Sequence, residues 1–535
     1  MLEARRPLAA ALAAGIFGLY AFHAYPTYAP RDSADLAAAA VALAPAHPPG
    51  YPLYAVLGKA WTIALPLGDP AYRLNLLSAA AGALAAGAMF LFLSPAGGWA
   101  AAGGALTFAF SAPLWKFSLL CEMYSLQALF ICLLLFLSRG GRGSAEKRAC
   151  LSALLFGLGL VNHQALLLMT PALVWLWRSE LSGHRLRAAG VLKPAAVFFA
   201  LGTALYLFLW IKLDAGLAWA VLTRREYGSL QLFGGLSRPL TPDLAMSLLG
   251  HLAGGLLTGA SVLAAALALL GAGVLARRDG ALAAALALAL AAFGPFFFLL
   301  TRFDLTEWVA RSVLETSFLV PTLVVCALAA YGIAWLQEAS GSRVVGAALA
   351  LACAGSVLWG RAQTLDHRDD FSAYDYARDL RRALPPGSAA VAGGDTALFS
   401  ARYEDLVRPR AARRLLHIQE GRQALLAAGT AFSLGLPLGA VQELSLGRPQ
   451  ARGLIQALRP QPPSLMWEST ALRRSKALVG GESYAHDIRL SYAFARYVTG
   501  QLASAAGDEA AALRHYQAAA ALDPEDYHLE YNKAP

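Results

Sequence analysis

Asp32-Ser33-Ala34-Asp35, followed by His47-Pro48-Pro49-Gly50-Tyr51-Pro52-Leu53-Tyr54, opens directly after an apolar stretch at residues 7–24. Two carboxylates and a histidine at the edge of hydrocarbon lose hydration unless partners or a water-filled cavity receive them. The segment therefore reads as the start of an active site at a membrane boundary. The plainer reading is an interfacial loop in which Asp32 caps the following helix and the prolines shape a turn.

The surrounding sequence supplies the membrane. Of 535 residues, 57% are apolar and only 15% are charged, whereas a soluble domain is about one quarter charged. Apolar stretches of bilayer length lie at 7–24, 74–93, 99–115, 117–137, 189–212, 246–276, 281–300, 312–337 and 343–360. Residues 149–177 form a longer block broken at Asn162-His163-Gln164, which reads as a hairpin of two short helices. The expected fold is mainly α and polytopic, with roughly eleven transmembrane helices. Ala24-Tyr25-Pro26 makes a poor signal-cleavage site, so the first stretch is kept as a helix.

Basic residues favour the cytoplasmic side of short connections. Arg5, Arg6, Arg139, Arg142, Lys147, Arg148, Arg178, Arg185, Arg187, Arg277 and Arg278 all fall on one side if the N-terminus is cytoplasmic. The Asp32 loop then faces outward, as does everything after about residue 361 for an odd number of spans. A bacterial inner membrane is the expected setting. The five cysteines sit in or beside apolar segments, so neither a disulfide framework nor a thiolate metal site is implied. The net charge of +10 suits anionic lipid, and no basic stripe interleaved with aromatics suggests nucleic acid.

Apolar dominance ends near Gly360, giving a membrane domain at 1–360 and a soluble α/β domain at 361–480. In the latter, Tyr374 to Leu384 has helical spacing and Ala389–Ala392 reads as a buried strand. Gly393-Gly394-Asp395-Thr396 then turns at the carboxyl edge of that strand, where ligands bind in open α/β layers. Asp395 is equally suited to capping the next helix. Residues 481–535 resemble half of a tetratricopeptide repeat, through Tyr492, Phe494, Ala512, Tyr516, Ala519 and Asp523-Pro524.

Collected by topology, the polar residues that interrupt apolar context converge on the outer side. They are Asp32, Asp35, His47 and Tyr51; Lys116, Glu122 and Tyr124; Asn162 and His163; Arg224, Arg225, Glu226 and Tyr227; and Arg302, Asp304, Glu307 and Arg311. A carboxylate can deprotonate a hydroxyl acceptor, while Arg, Lys and His stabilise a phosphate leaving group. Nucleotides are absent from the outer face, so an activated donor there must be membrane-borne, as a polyprenyl-phosphate sugar is. Plainer roles also exist. His163 can satisfy backbone groups at the hairpin, Glu122 can pair with Lys116, and Arg224 and Arg225 can touch lipid headgroups.

In order along the chain, Asp32-Ser33-Ala34-Asp35, His47-Pro48-Pro49-Gly50-Tyr51-Pro52-Leu53-Tyr54, Tyr72-Arg73-Leu74-Asn75, Glu122-Met123-Tyr124, Asn162-His163 and Gly393-Gly394-Asp395 resemble the landmarks of a multispan family long labelled a domain of unknown function. That family is similar to the protein O-mannosyltransferases and other GT-C glycosyltransferases. The usual Asp-Ser-Gly-Glu is here Asp-Ser-Ala-Asp. The resemblance implies a GT-C fold and an inverting transfer, most plausibly of mannose, from a lipid-phosphate sugar to a protein or envelope-glycan hydroxyl. It also implies that Asp32 or Asp35 serves as base or positions the acceptor. No cofactor is demanded, and a divalent metal is left open. The competing functions are a lipid-linked glycan transporter and a non-catalytic envelope scaffold.

Overall fold

The computed structural model describes residues 2–140, 143–183, 188–225, 237–306, 308–359, 365–384, 388–392, 395–409, 414–417, 432–434, 450–452, 454–458 and 483–522. The chain forms two compact units. One comprises Met1–Ala24, Ala39–Leu67 and Tyr72–Arg368, the other Tyr25–Ala38, Gly68–Ala71 and Asp369–Pro535.

The first unit is built of helices, and its composition and lengths make the chain an integral membrane protein. Pro70–Ala96, Gly190–Lys212, Gly280–Thr301 and Val309–Ser340 are each long and apolar enough to cross a bilayer. Shorter apolar helices are Gly98–Phe110, Tyr124–Arg139 and Arg343–Trp359. The block at 149–177 does break beside Asn162: the helix Ala145–Asn162 gives way to a 3-10 turn, Gln164–Met169, and then to Thr170–Gly183. Two expected stretches are not continuous. The one at 99–115 stops at Phe110, because Ser111 turns extended and Pro113 starts the separate helix Ala112–Ser118. The one at 246–276 is two helices, Pro242–Ala260 and Val262–Arg278, bent by 105°. The bend sits at Ser261, whose φ of 77° ends the first helix while its hydroxyl caps the second.

Packing in this unit relies on small residues, which let backbones approach where lipid offers no hydrophobic drive for helix association. A Cβ at Gly157 would lie 2.7 Å from the Phe199 carbonyl oxygen, and one at Gly202 would lie 2.5 Å from that of Leu154. Gly271 and Gly332 likewise face backbone of Leu328 and Leu267. The interior around these crossings is filled by Leu93, Phe108, Leu135, Leu323 and Ile333. Leu192, Val197, Leu201 and Ile211, by contrast, are exposed on Gly190–Lys212, as a hydrocarbon-facing helix requires.

The second unit is an α/β layer. The amphipathic helix Ser372–Ala383 buries Ala373, Tyr376, Ala377 and Leu380 and leads into β1, Ala389–Ala392, which is buried along its length. The other strands are β2 (Arg414–His417), β3 (Phe432–Leu434), β4 (Gln450–Arg452) and β5 (Ile455–Ala457). Their order is β2-β1-β3-β5-β4. β1 runs parallel to β2 and β3, whereas β5 is antiparallel to β3 and β4. A parallel pair needs a crossover, and the helix Asp395–Val407 provides it between β1 and β2. A helical pair, Ser483–Ala505 and Glu509–Leu522, turns at Gly507 with φ 84°. Gly500 leaves room there for the ring of Tyr516.

Candidate active site

In the second unit, the acidic motif forms the first turn of the helix Asp32–Ala42. Ser33 closes the preceding turn by accepting from the Ala29 amide at 3.1 Å. Residues three apart share a helix face, yet the two carboxylates have different surroundings. Asp32 is half-buried, whereas Asp35 is fully buried. Arg402, on Asp395–Val407, donates from Nη1 to Asp35 Oδ1 at 3.0 Å. The next two residues of that helix hold other N-terminal groups. Tyr403 donates to Asp69 Oδ1 at 2.6 Å, and Glu404 accepts from Tyr28 at 3.3 Å. Arg381 donates to the second oxygen of Glu404 at 3.1 Å, and Arg408 pairs with both Glu404 and Asp69.

Tyr28, Tyr403 and Glu404 are buried, and their acidities follow. Burial and then the Asp69 charge push the Tyr403 phenol well up. Burial lifts the Glu404 carboxyl above the usual carboxylate range, although Arg408 and Arg381 pull against it. Asp395 starts its helix exposed. Gly393 and Gly394 beside it lie outside the described residues.

In the first unit, sequence-distant candidates are brought together around His163. Its Nδ1 accepts from the Ala165 amide at 3.3 Å, so it does cap the 3-10 turn. Its ring stacks on Tyr51 at 6.2 Å and meets Tyr124 at 5.3 Å, while Tyr51 also meets His47 at 5.0 Å. Arg224 and His47 lie within electrostatic reach of the imidazole. Asn162 donates to the Met123 carbonyl at 3.1 Å, fixing the break before Tyr124–Arg139. Glu122 lies in that break, buried, and its carbonyl accepts from Ser78 at 3.1 Å. Gln164 ties the turn to the end of Ala215–Leu222 by donating to the Leu222 carbonyl at 2.9 Å. Two residues on, Arg224 adopts φ 54°.

Other candidates have separate environments. Lys116 pairs with Glu315 at 2.7 Å. Arg311 is half-buried within electrostatic reach of His251. Arg302 is exposed with φ 51°, and its carbonyl accepts from the Arg238 amide at 2.8 Å. Asp304 pairs with Arg238 at 3.3 Å. Arg225 is exposed. Glu226, Tyr227 and Glu307 lie outside the described residues. Among the described residues, no three His, Cys, Asp or Glu side chains are grouped to hold a metal ion. Glu315 and His251 were missed at the sequence level, although each is an ionisable residue inside an apolar stretch and so carries the signal that marks function in a membrane. Nothing in the sequence flags Arg402, which lies 367 residues from Asp35.

Residues 32–183 match the family model described as the protein O-mannosyl-transferase TMEM260 N-terminal domain. The N-terminal part of the chain is similar to these protein O-mannosyl-transferases. The Mus musculus protein O-mannosyl-transferase TMEM260 is 34% identical over 225 residues, covering 38% of this chain and 31% of its own length. The Dictyostelium discoideum protein O-mannosyl-transferase tmem260 is 28% identical over 237 residues, covering 38% of this chain and 29% of its own. The chain thus spans under a third of the length of the curated relatives it matches. The crystal structure of ArnT from Cupriavidus metallidurans bound to undecaprenyl phosphate aligns with a TM-score of 0.54 at 13% identity, over 85% of this chain and 99% of that one. This likeness is one of fold. The motif-based expectation of a likeness to the O-mannosyltransferases therefore holds over the matched segment, which runs from Asp32 past His163.

Proposed function

We propose that the protein is an inverting membrane glycosyltransferase that moves mannose from a polyprenyl-phosphate donor to a hydroxyl of a protein or envelope glycan. The observation that carries this reading is the O-mannosyl-transferase match over 32–183, which contains the acidic pair and the whole histidine–tyrosine cluster. The undecaprenyl phosphate bound in the ArnT structure supports a lipid-phosphate donor.

In this reading Asp32 is the base, because it is half-buried and so open to an acceptor, whereas Asp35 is fully buried. The Asp32 carboxylate accepts the proton of the acceptor hydroxyl as that oxygen attacks the anomeric carbon. The bond from that carbon to the phosphate oxygen breaks, the lipid phosphate leaves with the bonding pair, and the anomeric configuration inverts. Within the first unit, Arg224 with His47 and His163 form a group suited to hold a lipid phosphate by charge-assisted hydrogen bonds. Arg225, Glu226, Arg302, Arg311 and Lys116 are further substrate-binding candidates of the first unit, and Asp395 is one of the second. The setting is a bacterial inner membrane crossed by roughly eleven helices, with the N-terminus cytoplasmic. The soluble part, 361–480 with a repeat-like 481–535, then lies outside.

The test is purified protein in nanodiscs given a panel of polyprenyl-phosphate sugars and hydroxyl-bearing peptides or glycans. Release of polyprenyl phosphate with labelled acceptor, fastest for the mannosyl donor, is the expected result. No release from any donor, with movement of a lipid-linked glycan across vesicles, would overturn it in favour of transport.

A further inference from the structure

Three successive residues of Asp395–Val407 reach the N-terminal segments of the second unit. Arg402 holds Asp35 at 3.0 Å, Tyr403 holds Asp69 at 2.6 Å, and Glu404 holds Tyr28 at 3.3 Å. Tyr28 and Asp69 flank the acidic motif from either side in sequence, while Asp35 is part of it. The aromatic rings of Tyr28 and Tyr403 also pack at 4.8 Å between centroids. The crossover helix of the soluble layer therefore grips the acidic segment at several points. Of these grips, the one on Asp35 bears directly on the turn that carries Asp32.

We propose that Arg402 is a positioning residue for the reaction: by pairing with the buried Asp35, it fixes the first turn of Asp32–Ala42 and with it the direction in which Asp32 is presented. This inference rests on the glycosyltransferase reading. Asp35 is fully buried, so its charge needs a partner to stay ionised at low cost. The Arg402 side chain is 53% exposed, so its far edge stays hydrated while one nitrogen satisfies the carboxylate. A carboxylate fixed in this way makes a poor mobile base, and a helical turn anchored by it makes a good platform for the neighbouring one. Functional groups work best when rigid elements hold them within a fraction of an ångström, and misplacement by about 1 Å costs roughly a hundredfold in rate.

The test compares Arg402→Gln, Arg402→Lys, Asp35→Asn and the Arg402→Gln/Asp35→Asn double variant of the full chain in nanodiscs. Polyprenyl-phosphate mannose serves as donor, with kcat, donor affinity and thermal midpoint measured for each. Arg402→Gln is expected to lower kcat about 10- to 100-fold while donor affinity stays within about twofold. Arg402→Lys should recover most of the loss. The double variant should turn over no more slowly than Asp35→Asn alone, because the two residues act as one unit. Wild-type kcat in Arg402→Gln would overturn the proposal, and so would losses that multiply in the double variant. Coupling seen in the thermal midpoints but not in kcat would make the pair merely structural and overturn it too. If the unmodified protein transfers no sugar from any lipid donor, the glycosyltransferase reading fails first and the proposal falls with it.

Discussion

Arg224 leaves the helix Ala215–Leu222 in the left-handed region, with φ 54°, a conformation that non-glycine residues adopt at a cost. Its charge lies within reach of His163, whose ring is sandwiched by tyrosines. A cation beside a histidine and tyrosines can offer charge-assisted hydrogen bonds to a phosphate. Arg224→Ala is accordingly expected to weaken binding of a lipid-phosphate sugar by about 1.5 to 3 kcal/mol, the worth of a hydrogen bond to a charged group. Titration with a fluorescent donor analogue checks this, and unchanged affinity would leave Arg224 a headgroup contact. At this scale the sequence was informative where a polar residue interrupts apolar context. His163, Tyr124 and His47 were legible for that reason, and their neighbourhood follows. Partner choice was not legible. Lys116 pairs with Glu315, nearly 200 residues away, because pairing depends on how the helices pack.

The crossing of Ala145–Asn162 with Ala188–Thr203 depends on two glycines facing each other's backbone. Gly202→Leu should force these helices apart and destabilise the protein by about 1 to 3 kcal/mol or more, whereas the same change at Gly190, which meets nothing within 4 Å, should be tolerated. Thermal melting in detergent separates the two.

A second element, the end of the helix Leu2–His23, is held by 365–368. Arg368 donates to Asp366 from Nε and Nη2, at 2.8 and 2.7 Å, and lies over the Phe22 ring at 4.1 Å. The Arg368 hydrogen bonds hold the Asp366 carboxyl well below the usual carboxylate range, against the upward pull of burial. A lowered folded-state value means that this contribution is fully present above the unfolded-state value of about 3.9 and fades as pH falls below it. Asp366→Asn should therefore melt lower than the parent at pH 7, by no more than about 1 kcal/mol because Arg368 is partly exposed. The difference should shrink as melts are repeated toward pH 3, and a constant offset would exclude the ionic origin. Elements with strong local signals were readable: the strand Ala389–Ala392 lies where the buried run placed it. The 105° bend at Ser261 was not, since the apolar run continues across it; Ser261 caps the second helix and accepts from Ser356 at 2.9 Å.

For the molecule as a whole, class was legible because hydrocarbon forces every backbone group into helical pairing, which leaves long apolar runs in the sequence. The ordered motifs pointed to a GT-C fold through resemblance to a known family; Glu122 and Asn162 stand where helices break, whereas Tyr72 to Asn75 lie within the helix Pro70–Leu93. The grouping of Tyr25–Ala38 and Gly68–Ala71 with Asp369–Pro535 was hidden. It arises from ion pairs and phenol–carboxylate bonds whose members are more than 300 residues apart. The acidic motif thus belongs to the compact unit of the α/β layer, although it reads in sequence as an appendage of the first apolar helix. The central claim, that Asp32 is the base of a sugar transfer from a lipid phosphate, meets its most direct test in one rate comparison. The initial rate of polyprenyl phosphate release from polyprenyl-phosphate mannose is measured for the parent protein and Asp32→Asn in nanodiscs, with melting and donor binding as controls. The account predicts a fall of about 10² to 10⁴-fold with folding and donor affinity retained; near-parental release by a folded Asp32→Asn protein would contradict it.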